Sequence, residues 1–348
     1  MYCFKNMNKI VWGAIACLCI LYSCGPRSGQ LPSVAQQQPD SLSQDSVTEA
    51  AAPPVVEELT AGQIHISKDL LYDKYTLADS YPYKDTTRHF QWDKIRSRLA
   101  YLANIQLKPS QWAIVQNYKN RNGEAPLVKK FKRNAYGRVA DTLGVERYQS
   151  VPLYLLTDSS VPERYAHDGE LTRFLQDGED FIKAELMFTG GEWRIPKKYV
   201  KIIGDTITFD KAVFIDRTNQ NIASLERTGK SDWVVRSMNP STTGRHHPPY
   251  AQETPLGIFV LQEKKTKMIF LKDGSTETGG YAPYASRFTD GAYIHGVPVN
   301  APRKALIEYS PSLGTTPRSH MCVRNATSHA KFIFDWAPVN ETIIFVIE

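Results

Sequence analysis

Cysteine is scarce and unevenly placed. Of five in 348 residues, Cys3, Cys17, Cys19 and Cys24 stand at the start, leaving Cys322 alone in the remainder. That excludes a disulfide framework or a cysteine-built zinc centre for most of the chain. No phosphate-binding glycine loop, dinucleotide fingerprint or internal repeat occurs either. His246-His247 has no acidic or cysteine partner at ligand spacing, so neither metal nor cofactor is expected. Basic residues outnumber acidic ones only 42 to 36. No recognition motif for nucleic acid accompanies that excess, and no nucleic-acid partner is expected. The apolar run Ile10 to Tyr22, 13 residues, is too short to span a bilayer comfortably.

That run has the length of a signal-peptide core, with Lys5 and Lys9 as its positive flank. It ends at Leu21-Tyr22-Ser23-Cys24, which resembles the lipobox of bacterial lipoproteins, although Tyr22 is bulkier than the residue usual in that slot. The resemblance implies removal of residues 1–23, lipidation of Cys24 and export to the periplasm. Gly25, where an inner-membrane retention signal has Asp, favours an outer-membrane anchor. An ordinary signal peptide or an uncleaved anchor would also export the chain. Residues 24–60 are rich in Pro, Ser, Gln and Ala and cannot form a core, so a disordered tether of roughly 30 to 35 Å r.m.s. reach is expected.

From residue 61 the composition is globular. Trp92, Ile95, Leu99 and Leu102 recur at helical spacing, which predicts a helix over 90–105. A second helix is expected after Pro109-Ser110, through Trp112, Val115 and Tyr118 to Gly123, and a third over Lys129 to Leu143. The basic run 129–133 reads as a solvated helix face. Residues 61–145 are therefore read as a helical region. From 146 to 209 short β-prone runs follow, broken by Asp-Gly, Gly-Gly and Pro. The stretch Gly191 to Val200 resembles the closing strands of bacterial SH3-like domains, and a small SH3-like β-barrel is expected over 146–209. It could hold peptidoglycan or serve as a packing platform.

Residues 210–348 carry the chemistry. Strands are expected at Lys211 to Asp216, Asn221 to Glu226, Trp233 to Ser237, Glu253 to Val260, Met268 to Leu271 and Thr342 to Ile347. Between the last two lie Tyr293-Ile294-His295-Gly296 and Ser319-His320-Met321-Cys322-Val323-Arg324. A thiol acts as a nucleophile only as thiolate, so Cys322 needs a nearby base, and His295 and His320 are the candidates. Gly279-Gly280-Tyr281 with Tyr284 reads as a mobile lid or a surface loop. Asn325-Ala326-Thr327 matches a glycosylation pattern but has no meaning in a bacterial setting.

The order TP-x-G-x-F, I-H-G, S-H-x-C-x-R and a closing strand resembles the L,D-transpeptidases (YkuD-type catalytic domain). The resemblance implies a mainly β catalytic domain, an L,D-transpeptidase-like β-sandwich. It implies His295 as general base, the Gly296 carbonyl orienting its imidazole, and Cys322 as nucleophile toward a peptidoglycan tetrapeptide stem. Loss of D-Ala and a 3→3 cross-link to an acceptor amine would follow. The backbone N–H groups of Met321 and Cys322 would form the oxyanion hole, with Ser319, His320 and Arg324 toward substrate. If water resolves the thioester, the enzyme is an L,D-carboxypeptidase or an amidase that detaches wall proteins. If the site has decayed, the chain is a peptidoglycan-binding lipoprotein. Two departures stand out. Met321 replaces the family's usual glycine, and 23 residues separate His295 from Ser319, which implies a longer loop over the site.

Overall fold

The closing strand explains the layering of the catalytic segment. Thr342–Ile347 reads TIIFVI, and all six residues are buried. Alternate side chains of a strand point to opposite faces, so a strand without a polar face must be covered on both. Ile343, Phe345 and Ile347 join one core, and Ile344 and Val346 join another. The computed structural model describes residues 57–348. The expected leader at 1–23, the lipidated Cys24 and most of the tether lie outside the described residues.

Thr342–Ile347 is the fifth strand of a six-stranded sheet, ordered His65–Lys68, Asp232–Pro240, Asn221–Arg227, Lys211–Asp216, Thr342–Ile347, Gly257–Val260. It runs parallel to Lys211–Asp216 and antiparallel to Gly257–Val260. A second sheet orders Glu263–Leu271, Thr278–Thr289, Ala292–His295 and Val323–Arg324. Phe288, Ala292, Ile294 and Val323 from that sheet pack against Val213, Ile215, Phe259 and Ile344 from the first. The helix Thr327–Trp336 adds Ile333 to this core. On the outer face of the six-stranded sheet, the helix Trp92–Ile105 buries Ile95, Leu99 and Leu102. The expected helix over 90–105 is therefore present, and its apolar stripe is what the sheet needs covered.

The rest of the expected helical region is different. Gln111–Val115 is a strand, with Trp112 to Val115 all buried. A four-residue apolar run containing Ile and Val, buried all round, suits a central strand better than a helix with one wet face. It sits between Leu171–Asp177 and Val200–Gly204 in a five-stranded sheet that also contains Phe181–Leu186 and Glu192–Pro196. One strand of the expected β module thus comes from upstream of residue 146. Lys129 to Leu143 is not helical either, but holds a hairpin of Lys132–Arg133 with Val139–Ala140. Asn134 makes that turn: its side-chain oxygen accepts from the Tyr136 and Arg138 amides, and Gly137 takes φ +72°. Gly279-Gly280-Tyr281 and Tyr284 lie within the strand Thr278–Thr289 rather than in a loop.

Candidate active site

Register brings the two key residues together. Ala292–His295 pairs in parallel with Val323–Arg324, Ile294 opposite Val323 and His295 opposite Arg324. Ala292 and Ile294 enter the sandwich core, so Tyr293 and His295 face the other way. Cys322, immediately before the paired strand, packs against Tyr293 on that face. His295 and Cys322 line one cavity of about 510 Å³, with Ser319, His320, Arg324, Asp273 and Met268 among its other walls. The long connection after His295 supplies Val297, Pro298, Asn300, Ser310, Ser312 and Leu313 to the same cavity. Of the remaining expected site residues, Gly296 sits behind His295, and Met321 lines a second cavity of about 460 Å³ instead.

The loop holding Cys322 is pinned from both sides. Arg318 and Ser319 donate backbone N–H bonds to the Thr243 carbonyl at 2.9 and 3.1 Å, and Arg245 donates to Ser319 at 3.0 Å. Ser319 donates its hydroxyl to the Cys322 carbonyl. Thr254 accepts from the Gly244 amide at 2.9 Å and donates to the Met321 carbonyl at 2.7 Å, a relay that gives the TP dipeptide its structural purpose. Gly244 permits the approach, because a Cβ there would lie 2.7 Å from the Met321 Cα. Sequence reasoning passed over Gly244 and did not single out Thr254 as a site residue. Neither the Met321 nor the Cys322 amide has an acceptor among the described residues.

Met321 has φ +107°, a region a methionine occupies only under strain. A non-glycine residue is therefore costly at this position. Replacement by Gly and by Ala removes the same side-chain packing to within one methyl group and separates out the backbone term. Met321→Gly is expected to be more stable than Met321→Ala by about 1 kcal/mol or more, read from denaturant midpoints.

Burial sets the protonation of the pair. His295 is 3% exposed and Cys322 is 9% exposed. Burial pulls His295 down to about 4, against the raising effect of the Gly296 carbonyl, with Arg324 adding to the fall. The Gly296 carbonyl accepts from Nδ1 at 2.6 Å, so Nδ1 carries the proton and Nε2 is the free base. Gly296 is locked in turn: its N–H donates to Pro283 at 2.9 Å, and a Cβ would come 2.7 Å from the Thr327 hydroxyl. Burial pushes the Cys322 thiol up to about 11, opposed by the Tyr293 backbone and the Arg324 guanidinium. The thiol points at the Gly291 carbonyl, 3.5 Å away. His320 stands half-exposed at the cavity mouth, 3.4 Å from Asp273, and the partial burial of its ring is the main cause holding it below its ordinary value. Of the two candidate histidines, only His295 combines burial with an oriented ring. The unshared Nε2, the thiol and the free amides together can deprotonate a nucleophile and stabilise an oxyanion.

The wall behind Tyr293 belongs to the five-stranded sheet's long first connection. Tyr118 lies with its hydroxyl 3.2 Å from that of Tyr293, and the Arg287 guanidinium lies over the Tyr118 ring at 4.3 Å. Arg287 is bound to the fully buried Asp168 at 2.5 Å. None of these residues carries a motif, and only the tertiary contacts reveal them.

Comparison with solved structures gives similarities of low identity. An L,D-transpeptidase from Mycobacterium smegmatis is 16% identical over 51% of this chain and 77% of its own, with a TM-score of 0.33. L,D-transpeptidase 3 from Mycobacterium tuberculosis is 13% identical over 51% of this chain and 92% of its own, also at 0.33. A fused Zn-dependent amidase/peptidase and peptidoglycan-binding protein from Clostridium acetobutylicum is 18% identical over 40% of this chain, at a TM-score of 0.29. The chain spans only 52% of that clostridial protein's length. No protein of curated function matches. Residues 210–346, which contain His295, Cys322 and all but the His65–Lys68 strand of the two facing sheets, match the YkuD family of L,D-transpeptidase catalytic domains.

Proposed function

We propose that this protein is a cysteine-dependent L,D-transpeptidase acting on peptidoglycan tetrapeptide stems. The observation that carries the reading is the placement of Cys322 and an oriented, neutral His295 in one cavity of the family-matched segment. Nε2 of His295 takes the thiol proton as sulfur attacks the carbonyl of the third stem residue. The Met321 and Cys322 amides receive the developing oxyanion, where one donor contributes about 2.7–4 kcal/mol. Collapse breaks the amide bond and expels D-Ala, whose amine takes the proton from His295. The thioester passes to an amine of a neighbouring stem, giving a 3→3 cross-link and the free thiol. Arg324, on the same cavity, pairs with a substrate carboxylate.

The same reading makes the chain an exported lipoprotein, anchored through Cys24 to the outer membrane and reaching the wall on its tether. Residues 111–204 fit an SH3-like barrel: the last strand pairs with the first and is preceded by the 3-10 turn Lys197–Tyr199. Its burial against the Tyr293 wall favours a platform role.

The test is incubation of the full chain with disaccharide-tetrapeptide and mass analysis of the products. Loss of D-Ala with a cross-linked dimer is expected. Tripeptide without dimer would assign the carboxypeptidase, and unreacted stem that still binds would leave a wall-binding lipoprotein.

The pH dependence follows from the two buried groups. His295 is protonated only as pH falls through about 4, and Cys322 ionises only as pH rises through about 11. The reactive form, both neutral, is therefore fully populated between those limits. Single-turnover acylation is expected to show no inflection near 6.5 or 8.5, the ordinary values of a histidine and a thiol. An acid limb centred near 6.5 would contradict the buried, neutral imidazole.

A further inference from the structure

The cavity of about 460 Å³ meets the first one at the Cys322 loop, since Met321 lines it while Cys322 lines the other. Most of its wall comes from the connection between Gln111–Val115 and Leu171–Asp177, outside the family-matched segment. Glu253, Asp290 and Met321 are among the residues that close it from the catalytic side. Its charges balance. Three guanidiniums and three carboxylates line it, and each carboxylate already has a partner: Glu146 has Arg138 at 3.0 Å, Glu253 the Tyr136 hydroxyl at 2.5 Å, and Asp290 has His167 at 3.3 Å. Leu143, Tyr148 and Phe188 on the same wall remain 68%, 42% and 40% exposed, which leaves the cavity an uncovered apolar rim. Two lining residues also keep an unmatched polar atom. Oδ1 of Asp290, a residue only 7% exposed, and Nε of Arg164 are buried with no hydrogen-bond partner among the described residues. The first needs a donor and the second an acceptor. Buried polar atoms left in this state destabilise the fold, so a ligand that matches them binds with that advantage.

We infer that this cavity is a saccharide site, holding the sugar that carries the stem while Cys322 acts on the peptide. The inference rests on the acyl-transfer reading and sharpens it: the substrate is a glycan-linked stem rather than a free peptide. Balanced charges that are largely paired with one another give an ionic ligand little to meet. A hydroxyl both donates and accepts, so one neutral ligand can serve Asp290 and Arg164 together. A pyranose has a face of C–H groups and a rim of hydroxyls. The face can cover the apolar side chains while the rim reaches the polar atoms. Along the stem, two to three residues separate the sugar from the carbonyl under attack, roughly 7–11 Å when extended. Two cavities that meet at adjacent residues require such a short span.

The test uses the full chain carrying Cys322→Ala, which binds without turnover, in calorimetric titrations with two ligands. One is disaccharide-tetrapeptide and the other is the same tetrapeptide, N-acylated but without its sugars. The glycan-linked stem is expected to bind about tenfold more tightly or better, from one covered apolar face and one or two hydrogen bonds. Tyr148→Ala and Leu143→Ser, both at exposed positions, should each reduce that ratio and together bring it near one, with thermal unfolding as the check on folding. Equal affinity for the two ligands, or a preference that survives in the double variant, would overturn the saccharide site and leave acyl transfer standing. If neither ligand binds, the peptidoglycan reading fails and the saccharide site with it.

Discussion

His295→Gln is expected to slow acylation of Cys322 by about 10²–10⁴-fold, the usual contribution of a positioned general base. Glutamine is polar and of similar length, so its amide can still donate to the Gly296 carbonyl that now holds Nδ1 at 2.6 Å. What it cannot do is accept a proton. The thiol rests high because it is buried, and no cation lies close enough to hold it as thiolate; Arg324 only partly offsets the burial. Without the base, attack waits on a rare spontaneous ionisation. Cys322→Ala should abolish acylation outright. Release of D-Ala from a tetrapeptide stem under single-turnover conditions measures both, with thermal unfolding as the check on folding. A His295→Gln variant within tenfold of the parent would remove the general base from the scheme.

Arg287→Met is expected to destabilise the protein by about 3–5 kcal/mol, the cost of leaving a buried charge without its partner. Asp168 is fully buried and accepts from the Asn117 amide at 2.7 Å, the Tyr118 amide at 3.0 Å, the Gln262 side chain at 3.0 Å and Arg287 at 2.5 Å. Three of those donors are neutral and remain in the variant, but the positive charge does not. Asp168 lies in the connection before Leu171–Asp177, whereas Arg287 lies on the strand adjoining His295, so the pair joins the upstream sheet to the catalytic wall. Denaturant unfolding measures the loss. A change below about 1 kcal/mol, the range of exposed ion pairs, would show that the pair is not holding the two parts together. The contact also has a functional side. Losing Arg287 frees Tyr118, whose hydroxyl meets Tyr293 against Cys322.

Strands buried on both faces were the easiest part of the fold to read. Lys211–Asp216 and Thr342–Ile347 centre on the continuous apolar runs Ala212 to Ile215 and Ile343 to Ile347, and both strands have the bounds expected from the sequence. The same signature misled at Gln111–Val115, where Trp112 and Val115 fall three apart and mimic a helix. What decided the outcome was burial by neighbours 57 to 92 positions away in sequence, which local periodicity does not encode. The helix Thr327–Trp336 carries a weak sequence signal because Ala326 at its N-cap offers no side-chain cap, and only Pro338, two residues past its end, marks a stop. In retrospect Thr327, Ala330 and Ile333, each buried, recur at spacing three. The order of their motifs along the chain singled out Cys322, His295 and Arg324, which the structure brings to one cavity. Thr254, Gly244 and Tyr118 carried no such signal, since each acts through a partner distant in sequence.

The most direct measurement is mass spectrometry of the protein itself, acid-quenched within seconds of mixing with disaccharide-tetrapeptide and then digested. The expected result is one adduct, the stem lacking its terminal D-Ala, on the peptide containing Cys322 and absent from Cys322→Ala. Turnover of the stem with an unmodified Cys322 peptide, or with the adduct on another residue, would contradict the thioester mechanism.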